Sequence, residues 1–221
     1  MRKFTQSLAL AALLLSTAAY AQNVAPAASV AAKAAKVPWL YEGSDVPVDD
    51  SWTFGVLPNG LRYAVKKNDV PAGQVSIRVR IDAGALHENN DEQGFAHLIE
   101  HLSFRGSTFV PDGEAKRIWQ RFGVTFGSDS NAQTTPTQTV YKLDLPNATP
   151  EKLDESVKII SGMIRNPRIS PNALNAERAI VLAELRENSG AQMVYSDALR
   201  QHAFQGQRLA NRSTIGTPET L

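Results

Sequence analysis

Residues His97 to His101 read HLIEH, and they carry the densest chemistry in the chain. On an α-helix each residue advances about 100°, so positions i, i+3 and i+4 share a face. His97, Glu100 and His101 therefore project to one side. Two imidazoles one turn apart can take two corners of a zinc tetrahedron. A glutamate on the same face can then accept a proton from a water that the metal has made acidic. The competing reading is a solvated helix face with no chemistry. Phe95, Leu98, Ile99 and Leu102 recur around the motif at helical spacing, which favours the metal site, because the pattern needs a helix and an apolar stripe seats that helix against a core. The motif is H-x-x-E-H, the mirror of the H-E-x-x-H arrangement.

A catalytic zinc usually takes three protein ligands. The chain has no cysteine, so thiolates are unavailable and the third ligand must be an imidazole or a carboxylate. The segment ERAIVLAELRE is the best source. Glu177 and Glu184 fall on one helix face, about 10 Å apart along the axis, so both cannot bind one ion directly. One is a ligand and the other a supporting carboxylate, and the residues by themselves leave the choice open. Glu187, on a neighbouring part of that face, is a weaker option. His87 in LHENND and His202 in RQHAF read as exposed or locally hydrogen-bonded histidines.

Elements must hold these groups in place. WTFGVLPNGLRYAVKK reads as a hairpin turning at Asn59-Gly60. QVSIRVRIDAG alternates Val75, Ile77, Val79 and Ile81 with polar residues, the signature of a strand buried on one face. DEQGFAHLIEHLSFRG is a helix with Asp91 as its expected N-cap and Gly106 as its stop. PDGEAKRIWQRFG is a shorter helix ending at Gly123. NAQTTPTQTVYKLDLP reads as extended, with Tyr141, Leu143 and Leu145 alternating. Thr149-Pro150 and Ser170-Pro171 each open a helix. The first carries Leu153, Val157, Ile160 and Ile164 at helical spacing, and the second carries the glutamate pair. A further helix covers AQMVYSDALRQHAF, and RLANRSTIGTPETL reads as a loop. The order predicts an α+β fold, with helices packed on one face of a mostly antiparallel sheet.

Composition bounds the partners. A net charge of +1 provides no basic field for nucleic acid. Residues 1–21 have a basic start, a short apolar run from Leu8 to Leu15 and an Ala-Tyr-Ala end, the layout of a secretory signal peptide. That run is too short to span a bilayer, so no transmembrane segment is expected in the mature chain. Residues 22–50, rich in Ala, Val and Pro, read as a leader or linker. Residues 51–221 are expected to be the catalytic domain.

GFAHLIEHLSFRGS followed by ERAIVLAE resembles the pitrilysin/insulysin peptidases, the family that includes the mitochondrial processing peptidases. LPNGLRYAV, RIDAGALHE, GSDSNAQTTPTQTVYKLDLP and RLANRSTIGT extend the resemblance over most of residues 52–217. Within the family the chain is most similar to exported bacterial zinc proteases. The resemblance implies one Zn2+ on His97, His101 and Glu184, with Glu100 as general base and Glu177 as a supporting active-site carboxylate. It implies that Asn131 and Ala132 lie on an edge strand to which a peptide substrate adds. It also implies a location in the periplasm of a Gram-negative bacterium. Active members of the family comprise about four such domains in two halves. This chain is therefore expected to be truncated at its C-terminus, to work with further domains or a partner half, and to be weak or inactive alone. The alternative function is that of a non-catalytic scaffold subunit of a processing-peptidase-like assembly, against which the complete residue set counts.

Overall fold

The computed structural model describes residues 38–39 and 41–221. The expected signal peptide and most of the leader lie outside the described residues. The chain divides into two units at Lys67/Asn68.

The first unit is built on a hairpin. Strand β1 (Trp52–Val56) pairs antiparallel with β2 (Arg62–Lys66) in the register Phe54↔Ala64. Gly60 turns the chain with φ +87°, and the Asn59 side chain accepts from the Leu61 amide. The expected Asn-Gly turn is present.

The second unit carries the chemistry. Strand β3 (Val75–Ile81) is followed by a 3-10 turn (Ala85–His87), helix α1 (Phe95–Ser103) and helix α2 (Glu114–Arg121). A hairpin of β4 (Ser130–Thr134) and β5 (Thr139–Leu145) comes next. Helices α3 (Pro150–Arg165), α4 (Pro171–Glu187) and α5 (Ala191–Ala203) complete the regular structure. The sheet order is β3-β5-β4, antiparallel throughout, so β4 forms one edge. The α+β architecture expected from the element order is the one observed.

Alternation along β5 puts Thr139, Tyr141, Leu143 and Leu145 on the covered face. Helix α2 lays Ala115, Ile118 and Trp119 against them, and α3 adds Ile159, Ile160 and Met163. A second core lies between α1 and α4, where Leu98 and Leu102 meet Ala173, Val181, Ile215 and Leu221. Val181 is fully buried. This second core holds the histidine helix and the glutamate helix together, at roughly 1.5–3 kcal/mol for each fully buried Leu or Val.

Four local expectations need correction. Helix α1 begins at Phe95 after Gly94 (φ +93°), and the exposed Asp91 does not cap it. The buried Glu88 carboxylate does so, accepting from the amides of Gly94 (3.0 Å) and Ala96 (2.8 Å). The helix also stops at Ser103, short of Gly106. The stretch from Asn131 to Leu145 is extended as expected, in the two strands β4 and β5, with the Thr135 amide and hydroxyl both donating to Gln138 O in the turn between them. On α3 the buried stripe is Ser156, Ile159, Ile160 and Met163, while Val157 is half exposed. Gly162 allows Ser107 and Phe109 to approach closely there, and a count of apolar residues registers neither it nor the fully buried Ser156. Finally, the tail buries Ala210, Arg212, Ile215 and Leu221. Arg212 donates to Asn89 O and Asn90 Oδ1, and Thr220 donates to Gln93 O, so the tail clasps the loop that leads into α1.

Candidate metal centre

Helix α1 presents His97, Glu100 and His101 on one face, as the spacing requires. The two imidazole rings stand edge to face, with centroids 4.7 Å apart. Helix α4 crosses beside them. Its buried stripe runs Ala173, Glu177, Val181, so Glu177 belongs to the surface that packs on α1. One helical period further on, Glu184 Oε2 lies 3.8 Å from His97 Nε2 and 3.6 Å from His101 Nε2. One ligand atom from each of His97, His101 and Glu184 lies within 4.8 Å of the others.

A fit to zinc can be tested on these distances. Ligand atoms at 2.0–2.1 Å in a tetrahedron are about 3.3 Å apart. The separations on Glu184 need to contract by only a few tenths of an ångström. The donors also suit the ion. Burial first, and then the neighbouring His101, push the His97 imidazole pKa down, which favours the neutral form a metal requires, while Glu184 pulls the other way. His101 Nδ1 lies 3.1 Å from Glu177 Oε2. A carboxylate only accepts, so Nδ1 is the donor in this contact, and Nε2 is the nitrogen turned toward Glu184.

Glu177 is not a member of the cluster. Its two oxygens are taken by His101 Nδ1 and by Arg105 Nε, the latter at 2.5 Å, and the residue is 7% exposed. The two glutamates left open by spacing alone thus occupy different places, with Glu184 facing both Nε2 atoms and Glu177 behind His101.

Glu100 sits one turn from His97, buried, with Thr134 Oγ1 donating to its Oε2 at 2.6 Å. Burial raises its pKa, and the Thr134 hydrogen bond only partly offsets this. A carboxyl held above its ordinary range is poised to take and return a proton nearer neutrality. Thr134 is a site residue that the sequence did not single out. Its position on β4, facing the helices, decides its role.

A cleft of about 730 Å³ opens over these groups, lined among others by His97, Glu100, Ala132, Thr134, Glu184 and Arg200. Asn131 and Ala132 both lie on edge strand β4, but alternation sends their side chains to opposite faces, Asn131 to the exposed one. The Ala132 amide donates to Asn131 Oδ1 at 2.9 Å, and Asn131 Nδ2 donates to Gly127 O. Glu187 lines the cleft without joining the cluster. His87 is exposed and accepts at Nδ1 from the Gly84 amide, and His202 is exposed, as the sequence suggests for both.

A fold of this kind with this pair of motifs defines a family. The family model for insulinase (peptidase family M16) matches residues 63–217, and the chain belongs to that family. The probable zinc protease PqqL of Haemophilus influenzae is 33% identical over 182 residues, covering 82% of this chain and 20% of that protein. The crystal structure of the periplasmic protease PqqL from Escherichia coli superimposes with a TM-score of 0.75 at 31% identity, covering 79% of this chain and 19% of that one. The structure of the first half of the same Escherichia coli protease also matches at TM-score 0.75, with 30% identity, covering 80% of this chain and 38% of that one. The chain spans about a fifth of the length of the curated relatives it matches. Among the described residues no helix is long and apolar enough to cross a membrane.

Proposed function

We propose that this chain carries the catalytic centre of a zinc-dependent endopeptidase that cleaves peptides or unfolded protein segments. The observation that carries the reading is the convergence of His97, His101 and Glu184 ligand atoms within 4.8 Å, with Glu100 one turn away on the same helix face. His97 Nε2, His101 Nε2 and Glu184 would hold the ion. Zinc, when bound there, supplies Lewis-acid polarisation of a water and of the scissile carbonyl.

The chain's own residues do the rest. Glu100 accepts the proton of the attacking water and returns it to the leaving amine. Thr134 fixes one oxygen of that carboxylate and leaves the other for water. Glu177 sets the tautomer of His101. The free edge of β4 takes the peptide as an added strand, with the Ala132 amide exchanging Asn131 Oδ1 for a substrate carbonyl. Residues 51–221 act as the catalytic domain, and further domains complete the chamber around the substrate. The layout of residues 1–21, together with a relative described as periplasmic, supports export to the periplasm.

The test is zinc content and peptide hydrolysis for wild type and Glu100→Gln, assayed in the presence of the further domains or partner half that complete the chamber. The expected result is about one zinc in both and a rate loss of at least ~10²–10⁴ in the variant. A variant that retained the wild-type rate, or a wild type without stoichiometric zinc, would overturn the reading.

A further inference from the structure

The two imidazoles of the cluster are held unequally. His97 Nδ1 is buried with no hydrogen-bond partner among the described residues. His101 Nδ1 is tied to Glu177. Glu177 is in turn gripped from the other side by Arg105 Nε, while Arg105 Nη1 lies 3.6 Å from Asp112 Oδ2. Arg105 lies four residues after His101, in the turn that follows α1, and its carbonyl accepts from the Gly113 amide, which anchors the backbone at this point. A single chain of contacts, Arg105–Glu177–His101, therefore runs from the turn after α1 to α4 and back to α1 at His101.

We propose that Arg105 is a positioning residue of the metal centre, acting through Glu177 to aim His101 Nε2 at the ion. The physical case has two parts. A carboxylate with one hydrogen bond can swing about its terminal torsion, which is broad. With Arg105 on Oε1, Oε2 is pinned toward His101, and with Oε2 pinned the imidazole has one ring orientation and one tautomer. The carboxylate is also nearly sealed from water, so without the guanidinium it would be a buried charge matched only by a neutral imidazole. His97 has no comparable brace, so the orientation of the pair is carried on the His101 side.

This proposal rests on the zinc reading, and the experiment separates the two. Zinc affinity is measured on the same protein used for the hydrolysis assay, by competition with a chromophoric chelator, and metal-free stability is measured by denaturant titration. Wild-type protein without stoichiometric zinc sinks the zinc reading and this one with it. If wild type binds, Arg105→Leu is expected to weaken zinc about tenfold, the low end of the range for outer-shell partners. Arg105→Lys should recover part of the loss. Arg105→Gln, close in length and uncharged, replaces the leucine variant if that one does not fold. The decisive measurement is the double mutant with Glu177→Gln, because a residue acting through Glu177 adds nothing once Glu177 is gone. The double variant should match Glu177→Gln alone. Affinity within twofold of wild type in both Arg105→Leu and Arg105→Gln, or losses that multiply in the double variant, would refute the role while leaving the zinc site intact.

Discussion

The histidine helix starts from a cap that lies outside its own sequence pattern, and that cap yields the sharpest prediction. Glu88 is 6% exposed and accepts from two amides at the start of α1, those of Gly94 and Ala96. Hydrogen bonds to a charged group contribute about 1.5–3 kcal/mol each. The positive end of the helix dipole adds roughly 0.3–1 kcal/mol for an anion placed there. Against these stands the recovered hydration of a carboxylate that is no longer buried. Glu88→Ala should therefore destabilise the fold by about 3 kcal/mol, and Glu88→Gln, which keeps an oxygen for one amide, by about half of that. At 2–4 °C per kcal/mol for a unit of this size, the alanine variant should melt roughly 6–12 °C lower. Asp91→Ala is the control. Asp91 is exposed and leaves both amides untouched, so it should change stability by less than about 0.5 kcal/mol. Denaturant titrations of the three variants check the set. A Glu88→Ala cost below 1 kcal/mol, or an Asp91→Ala cost equal to it, would show that the helix is not started by this carboxylate.

Other expectations concern packing, pH and metal. A helical Gly→Ala change ordinarily stabilises by about 1 kcal/mol, but at Gly162 a methyl would stand 2.6 Å from Ser107 Oγ and 2.8 Å from the Phe109 ring. Gly162→Ala should instead destabilise by about 1–3 kcal/mol, read by chemical denaturation. Burial raises the Asp144 pKa, but hydrogen bonds from Arg78, Lys142 and Ser76 outweigh it and bring the group from 3.8 to about 2. A depressed carboxylate pKa stabilises above the unfolded value and loses that contribution as pH falls through the folded one. On the order of 1–2 kcal/mol should therefore disappear between about pH 4 and pH 2 in wild type and not in Asp144→Asn, measured by stability against pH. Free zinc at 100 times its dissociation constant should stabilise the wild-type fold by about 2.7 kcal/mol, and a chelator should remove that increment. A melting temperature indifferent to zinc would count against the metal site.

Much of this molecule was legible in one dimension because its signals are local. Helical spacing alone puts His97, Glu100 and His101 on one face. The alternation of Val75 to Ile81 yields a one-sided strand, and Ser170-Pro171 starts α4 where expected, with the Ser170 hydroxyl accepting from the Ala173 amide. The absence of cysteine restricts any metal site to imidazole and carboxylate donors. What the spacing could not decide is which glutamate faces the histidines, because Glu177 and Glu184 share a helix face and differ only in how far along the axis α1 crosses. The packing of Leu98 and Leu102 on Val181 sets that crossing, sending Glu184 to the two Nε2 atoms and Glu177 behind His101. Thr134, Glu88 and Arg105 were silent for the same reason. Each is an ordinary polar residue until the fold brings it to a partner 34, 8 or 72 positions away. Periodicity reports which face a residue occupies, whereas only the tertiary structure decides what stands opposite that face.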